Sequence, residues 1–324
     1  MSDRSWFVVI VIGTLATVAC YQPELERVCT IACCEADPSG CPGGFDCIAG
    51  YCTTPDHRCP LVDQGAFSEP TEVQGLNVDA SPALDIDPFL SRDRCEMVFS
   101  SSRVGGTGSY DLWRTSRQNP RDVWSPPTPL TELNTAGEDR LPKLAADGLS
   151  IWFARQNSIG GLDVYASSRA SIGAEWSTPV AVSELQVSES NYDQPGGNAD
   201  EPVAMVITYA FGNDNDLYES TRATTAEPWG TPKPLEALNT PRNETGGHLI
   251  GSATVVYFAA TNGSHEDLCA ATRAASDATF STPRCFDELN GPSRDQHPWV
   301  STDGRHIVFT SDRLGTSRLF EASR

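Results

Sequence analysis

The sequence predicts an all-β protein: a five-bladed β-propeller closed by an N-terminal strand and preceded by a small disulfide-rich module. Three observations carry this reading. A unit of just over 50 residues recurs along the chain. Each unit holds four strand-like runs and no amphipathic helix. The last unit stops one strand short, while a spare copy of that strand stands near residue 67.

Three aligned series define the unit. The runs "YDLWRTSR", "LDVYASSR", "NDLYESTR", "EDLCAATR" and "SRLFEASR" end at Arg117, Arg169, Arg222, Arg273 and Arg324, in steps of 52, 53, 51 and 51. A tail motif begins at an aromatic residue, Phe67, Trp124, Trp176, Trp229 or Phe280. It finishes at Asn77, Asn134, Gln186, Asn239 or Asn290. A proline-led turn is anchored at Pro88, Pro142, Pro195, Gly247 and Pro298. After each turn comes a run such as "CEMVFSSS" or "RHIVFTSD", whose alternation suits a strand rather than a helix.

Each unit thus offers four antiparallel strands: the turn segment, the Val/Ile/Phe-rich run, the "DLY" run and the tail. That is a propeller blade. A strand pair cannot bury its own face, but blades packed around an axis can. The fifth unit ends after its third strand. The orphan "FSEPTEV" near residue 67 supplies the fourth, so the N-terminus closes the ring and removes its open edges. The propeller is expected to span 67–324.

Upstream lie a signal peptide over 1–19, a linker over 20–28, a cysteine-rich module over 29–59 and a second linker over 60–66. The apolar run from Trp6 to Ala19 is short for a membrane span and suits a signal-peptide core. Seven cysteines fall between Cys29 and Cys59, a density that implies an oxidising compartment. So small a segment, with almost no aliphatic residues, needs cross-links to hold a fold. Cys29, Cys33, Cys34, Cys41, Cys47 and Cys52 would make three bridges, in a pairing that the spacing leaves open. Cys59 and Cys95 would tie the module to the propeller, and Cys269 and Cys285 form the last pair. The module reads as a stiff spacer; a binding knob is the alternative.

The formal charge of −20 argues against nucleic acid, whose phosphates would be repelled. Two resemblances add to this. "TVAC" at the end of the apolar run resembles the bacterial lipobox, which implies lipidation of Cys20. Tyr21 and Gln22 do not resemble an inner-membrane retention signal, so the resemblance implies the outer membrane. "WVSTDGRHIVFTSDR", residues 299–313, resembles the TolB-type, WD-like propeller repeat of bacterial envelope proteins; "LAADGLSIWFARQ" and "GGLDVY" are similar. That family implies the fold, an extracytoplasmic place and protein binding. Blade 4 departs most, since "ETGGHLIGS" lacks both the proline and the Asp-Gly.

Candidate chemistry lies where the first strands approach the axis. Three residues before each turn anchor stand Asp85, Asp139, Tyr192, Glu244 and Asp295. One residue before it stand Asp87, Leu141, Gln194, Gly246 and His297. Side chains two apart share a strand face, so a mostly acidic ring is expected at one end of the channel. Hard oxygen ligands would suit calcium, the one cofactor the ring suggests. A purely structural role, satisfying backbone N–H groups or arginines between blades, is the alternative. The same acids permit a glycosidase-like enzyme with Asp87 and Glu244 as its carboxylates. No GxSxG, HExxH or phosphate loop is present. The expected function is therefore non-enzymatic: an extracytoplasmic lipoprotein that binds or scaffolds an envelope protein or glycan.

Overall fold

The computed structural model describes residues 46–48, 51–53, 65–77, 83–187, 193–198, 203–211 and 214–324. In the cysteine-rich module β1 (Asp46–Ile48) and β2 (Tyr51–Thr53) form a hairpin in which Cys47 lies opposite Cys52. The remaining cysteines of the module, with Cys20, lie outside the described residues. Cys95 is itself disulfide-bonded, and Cys59 is again outside them.

Five antiparallel sheets follow. β3 (Thr71–Glu72) comes first in the chain and joins the last sheet. Blade 1 is β4 (Asp85–Leu90), β5 (Glu96–Ser101), β6 (Asp111–Ser116) and β7 (Thr128–Pro129). Blade 2 is β8 (Asp139–Leu144), β9 (Ser150–Gln156), β10 (Leu162–Ser168) and β11 (Val180–Ala181). Blade 3 holds β12 (Asp193–Pro195), then, after β13 (Gly197–Asn198), β14 (Ala204–Phe211), β15 (Asp214–Thr221) and β16 (Lys233–Pro234). Blade 4 is β17 (Glu244–Ile250), β18 (Val255–Asn262), β19 (His265–Thr272) and β20 (Arg284–Cys285), with β13 added in parallel beside β17. Blade 5 is β21 (Asp295–Val300), β22 (His306–Ser311) and β23 (Arg318–Ser323), completed by β3.

The predicted closure is present. Phe320 faces Glu72 and Glu321 faces Thr71. The junction is held by side chains as well. Arg318 pairs with Glu72 at 3.1 Å. The Phe67 amide donates to Glu288 at 3.0 Å. Asn77 clamps Leu319, accepting from its N–H at 2.8 Å and donating to its C=O at 3.0 Å.

The repeated residues explain the repeated geometry. The tail asparagines Asn134, Asn239 and Asn290 grip Leu112, Leu217 and Leu268 as Asn77 grips Leu319. The fourth strands of blades 1, 3, 4 and 5 can therefore be two residues long and still be pinned. The arginines that end the third strands, Arg117, Arg169, Arg222, Arg273 and Arg324, lie over Trp124, Trp176, Trp229, Phe280 and Phe67, with 3.9–4.4 Å between guanidinium and ring centre. Arg169 also reaches Glu96 of blade 1, and Arg273 reaches Glu219 of blade 3, so they bind blade to blade. The "DLY" aspartates serve their hairpins: Asp111 accepts from Thr107 N and Gly108 N, and Asp267 from Asn262. Cys269 and Cys285 face each other across β19 and β20 and are disulfide-bonded.

Candidate functional site

Four of the five first strands carry a β-bulge where the sequence shows only the turn anchor. Pairing shifts between Ile86 and Phe89, Arg140 and Lys143, Thr245 and His248, and Gln296 and Trp299. The bulged residues Asp87, Leu141, Gly246 and His297 have φ of 57°, 55°, 69° and 50°. Only the third of these is a glycine, so three L-residues hold a left-handed backbone that costs about 1 kcal/mol or more each. The preceding blade supports the distortion at three of the four sites. Thr310, Ser100 and Thr208 hydroxyls accept from the N–H of Asp87, Leu141 and Gly246.

Blade 3 has no bulge. Asp193, Gln194 and Pro195 pair without a break to Tyr209, Thr208 and Ile207. One residue fewer stands between the acid and the anchor, so Asp193 takes the place opposite Tyr209 that Asp85 takes opposite Ser101. Counting three residues back from Pro195 placed Tyr192 on the ring. Tyr192 lies outside the described residues, and the ring position belongs to Asp193. Every blade therefore has an acid there.

These five acids face partners. Asp85 accepts from Ser101 Oγ at 2.7 Å and pairs with Arg103 at 2.6 Å. Asp139 accepts from Thr135 N and Oγ1 and pairs with Arg155 at 2.7 Å. Asp193 accepts from Val187 N. Glu244 accepts from Thr240 N at 3.0 Å and Oγ1 at 2.7 Å. Asp295 pairs with Arg313 at 2.6 Å. Burial raises the Asp295 carboxyl above its ordinary value, against the pull of Ser311 and Arg313. Among the described residues no group of three or more His, Cys, Asp and Glu side chains is arranged to hold a metal ion. The acids that suggested calcium turn to hydroxyl, amide and guanidinium groups instead.

The inner positions do meet. Asp87, fully buried, lies 2.8 Å from His297 Nδ1 and 3.7 Å from Arg140 Nε, so blades 5, 1 and 2 converge on one carboxylate. Burial pushes that carboxyl upward, but the nearby His297 and Arg140 outweigh it and hold it well below the usual range. Gly246 stands against His297, and a Cβ there would crowd its ring. Leu141 is buried, and Gln194 lies on the unbulged strand.

Beyond this cluster, among the described residues, side chains pack against one another. Phe89 and His248 meet edge to face at 5.4 Å, His248 and Trp299 lie 6.2 Å apart, and Lys143 Nζ lies 5.4 Å from the Phe89 ring centre. All four side chains are at most 2% exposed. A Cβ on Gly197 would strike the Phe89 ring and His248 Nδ1, so glycine is what lets β13 pass here. Burial lowers the Lys143 amine to about 8, and burial lowers His248 to about 3 while its Nε2 donates to Val300 O. No pattern in the sequence marks Lys143, His248 or Trp299 as neighbours. They stand one residue after the anchor, and the bulge is what turns them inward.

No family model matches the chain, and no curated protein matches it. Solved structures share its fold. An alpha-L-arabinofuranosidase from Podospora anserina, in complex with cellotriose, aligns at TM-score 0.53 and 10% identity over 80% of this chain and 96% of that one. A family 117 glycoside hydrolase from the marine bacterium Zobellia galactanivorans aligns at 0.52 and 11% over 80% and 90%. A putative TolB from Agrobacterium tumefaciens aligns at 0.48 and 15% over 76% and 79%. At such identities the likeness extends to the fold alone.

Proposed function

We propose that this chain is a non-enzymatic binding propeller of the cell envelope, held to the membrane by a lipid on Cys20, with a protein or glycan as its partner. The observation that carries this reading is the state of the axis. A propeller glycosidase needs two carboxylates facing a substrate pocket, one of them free to protonate a leaving group. Here Asp87 is fully buried and committed to His297 and Arg140, and packed side chains occupy the space beyond it. Glu244, the other candidate carboxylate, is buried and accepts from Thr240 N and Oγ1. Fold likeness to glycoside hydrolases does not make such a pair of Asp87 and Glu244.

The test has two arms. Purified protein is incubated with chromogenic arabinofuranosides and xylosides and with soluble polysaccharides; no turnover is expected. The tagged lipoprotein is then captured from native envelopes and the co-purifying proteins are identified. Hydrolysis that disappears in Asp87→Asn would overturn the reading in favour of an enzyme. A specific co-purifying protein, reconstituted from pure components, is the expected result.

A further inference from the structure

We propose that blade 4 carries a receptor pocket for a guanidinium group, the arginine side chain of a partner polypeptide. The warrant is internal to the repeat. In blades 1, 2 and 5 a guanidinium occupies one conserved point in space. Arg103 bridges Asp85 and the carbonyl of Leu76. Arg155 bridges Asp139 and the carbonyl of Leu133. Arg313 bridges Asp295 and the carbonyl of Leu289. Each lies 4.8–5.3 Å from two ring centres: Phe99 and Trp113, Phe153 and Tyr165, Phe309 and Phe320. In blade 3 Tyr209 fills the point, donating from its hydroxyl to Leu185 O at 2.6 Å.

Blade 4 has the acid and lacks the cation. Ala260 stands opposite Glu244, where Arg155 stands opposite Asp139. Two residues on, where blades 1 and 5 place their arginines, Asn262 is turned to Asp267 at 2.7 Å. A cavity of about 460 Å³ opens where the guanidinium would sit. Leu238, Glu244, Phe258 and Cys269 are its buried members, while Thr240, Arg242 and Cys285 are exposed at the rim. Cys269, tied to Cys285, replaces the second aromatic and leaves the space wider.

The remaining chemistry suits a cation. Glu244 is 1% exposed, and among the described residues its only hydrogen-bond partner is Thr240. Asp139 shows that one carboxylate can accept the threonine pair and an arginine together. Burial raises the Glu244 carboxyl against the pull of its Thr240 hydrogen bonds, and Asp216 and Asp214 raise it further. Arg242 lies at the rim, its Nη1 3.4 Å from Thr261 O, while Glu244 stands in the buried part of the pocket. A guanidinium suits the pocket better than an ammonium, because its flat fork can meet carboxylate and carbonyl at once while stacking on Phe258.

This deepens the binding reading and rests on it only for the source of the arginine. The test uses N-acetyl-arginine methylamide as probe, titrated into the full chain by calorimetry and followed by chemical shifts, with the N-acetyl-citrulline analogue as neutral isostere. Saturable binding of the arginine probe alone is expected, weakened about tenfold or more in Glu244→Gln, which keeps an acceptor for Thr240 but loses the charge. Ala260→Arg, which supplies the arginine internally at the register of Arg155, is expected to abolish binding and raise the melting temperature. Equal binding of citrulline, an unaffected Glu244→Gln, or no saturation of the wild-type protein at tens of millimolar probe would overturn the pocket. Saturation by the probe with no arginine-bearing partner recovered from envelopes would leave the pocket standing and overturn the partner reading.

Discussion

Replacing Arg313 by alanine tests the inter-blade staple where its parts are most fully defined. The guanidinium pairs with Asp295 at 2.6 Å and donates to Ser311 Oγ at 2.8 Å and Leu289 O at 2.7 Å. It also covers the Phe309 and Phe320 rings. Its removal strands a carboxylate that has no exposed surface and an acceptor carbonyl of the neighbouring tail. Breaking one side of a buried pair costs about 3–5 kcal/mol; because Arg313 keeps some solvent contact, about 3 kcal/mol is expected. For a domain of this size that is a fall in Tm of roughly 6–12 °C. The charge on Asp295 is what becomes intolerable. Without its arginine the folded-state carboxyl rises further above 3.8, so the deficit is small near that pH and grows as pH rises to neutrality. The assay is guanidinium-chloride unfolding at pH 4.5 and 7.5, followed by tryptophan fluorescence and circular dichroism. Asp295→Asn combined with Arg313→Met removes both charges and should recover more than half of the loss. A loss below about 0.5 kcal/mol, or a double variant no better than Arg313→Ala, would refute the staple.

Four further outcomes are expected. Lys143→Met should stabilise the protein by up to roughly 3 kcal/mol below pH 8, with the gain shrinking between pH 8 and 10.5 as the unfolded lysine also loses its proton; thermal melts across that range read it. His248 is buried neutral, so its stabilising contribution is complete above about 6.5 and lost as pH falls toward 3. His248→Met should therefore flatten the acid limb by about 1.4 kcal/mol per pH unit between pH 6 and 4. Asn77→Ala should cost about 1–2 kcal/mol and speed hydrogen exchange at the Leu319 and Val73 amides, both of which bond at the closure. Removing the Cys269–Cys285 bridge, which spans 16 residues, by a double alanine substitution should cost about 2–3 kcal/mol in chemical unfolding.

Blade number, strand order and the closing strand were legible because repetition multiplies weak signals. One "DLY" run says little, whereas five in step define a blade. The bulges were not legible. Asp87, Leu141 and His297 carry no left-handed signature of the kind a glycine gives, and the support of Asp87 and Leu141 comes from hydroxyls one blade away. The missing residue in blade 3 was hidden for the same reason: Pro195 looks like Pro142, so counting back gave Tyr192 where the fold puts Asp193. The pairing of the ring acids was half legible. "SSSR" and "TSDR" share an arginine that "AATN" lacks, a difference visible in the sequence itself. What the absence leaves behind, a cavity beside Glu244, required the fold.

Closure between β3 and β23 also sets an order in time. Asn77 and Leu319 lie 242 residues apart in the chain, so their meeting is among the slowest contacts to form and follows synthesis of nearly everything between them. The strand that finishes the last blade is made first and waits with its edge unpaired while four blades assemble. A long apolar strand in that position would recruit neighbouring nascent chains. Two residues, threonine and glutamate, do not. The brevity that β3 shares with β7, β11, β16 and β20 limits the edge it exposes in the meantime, and the asparagine clamp on Leu319 supplies the hold once the ring closes.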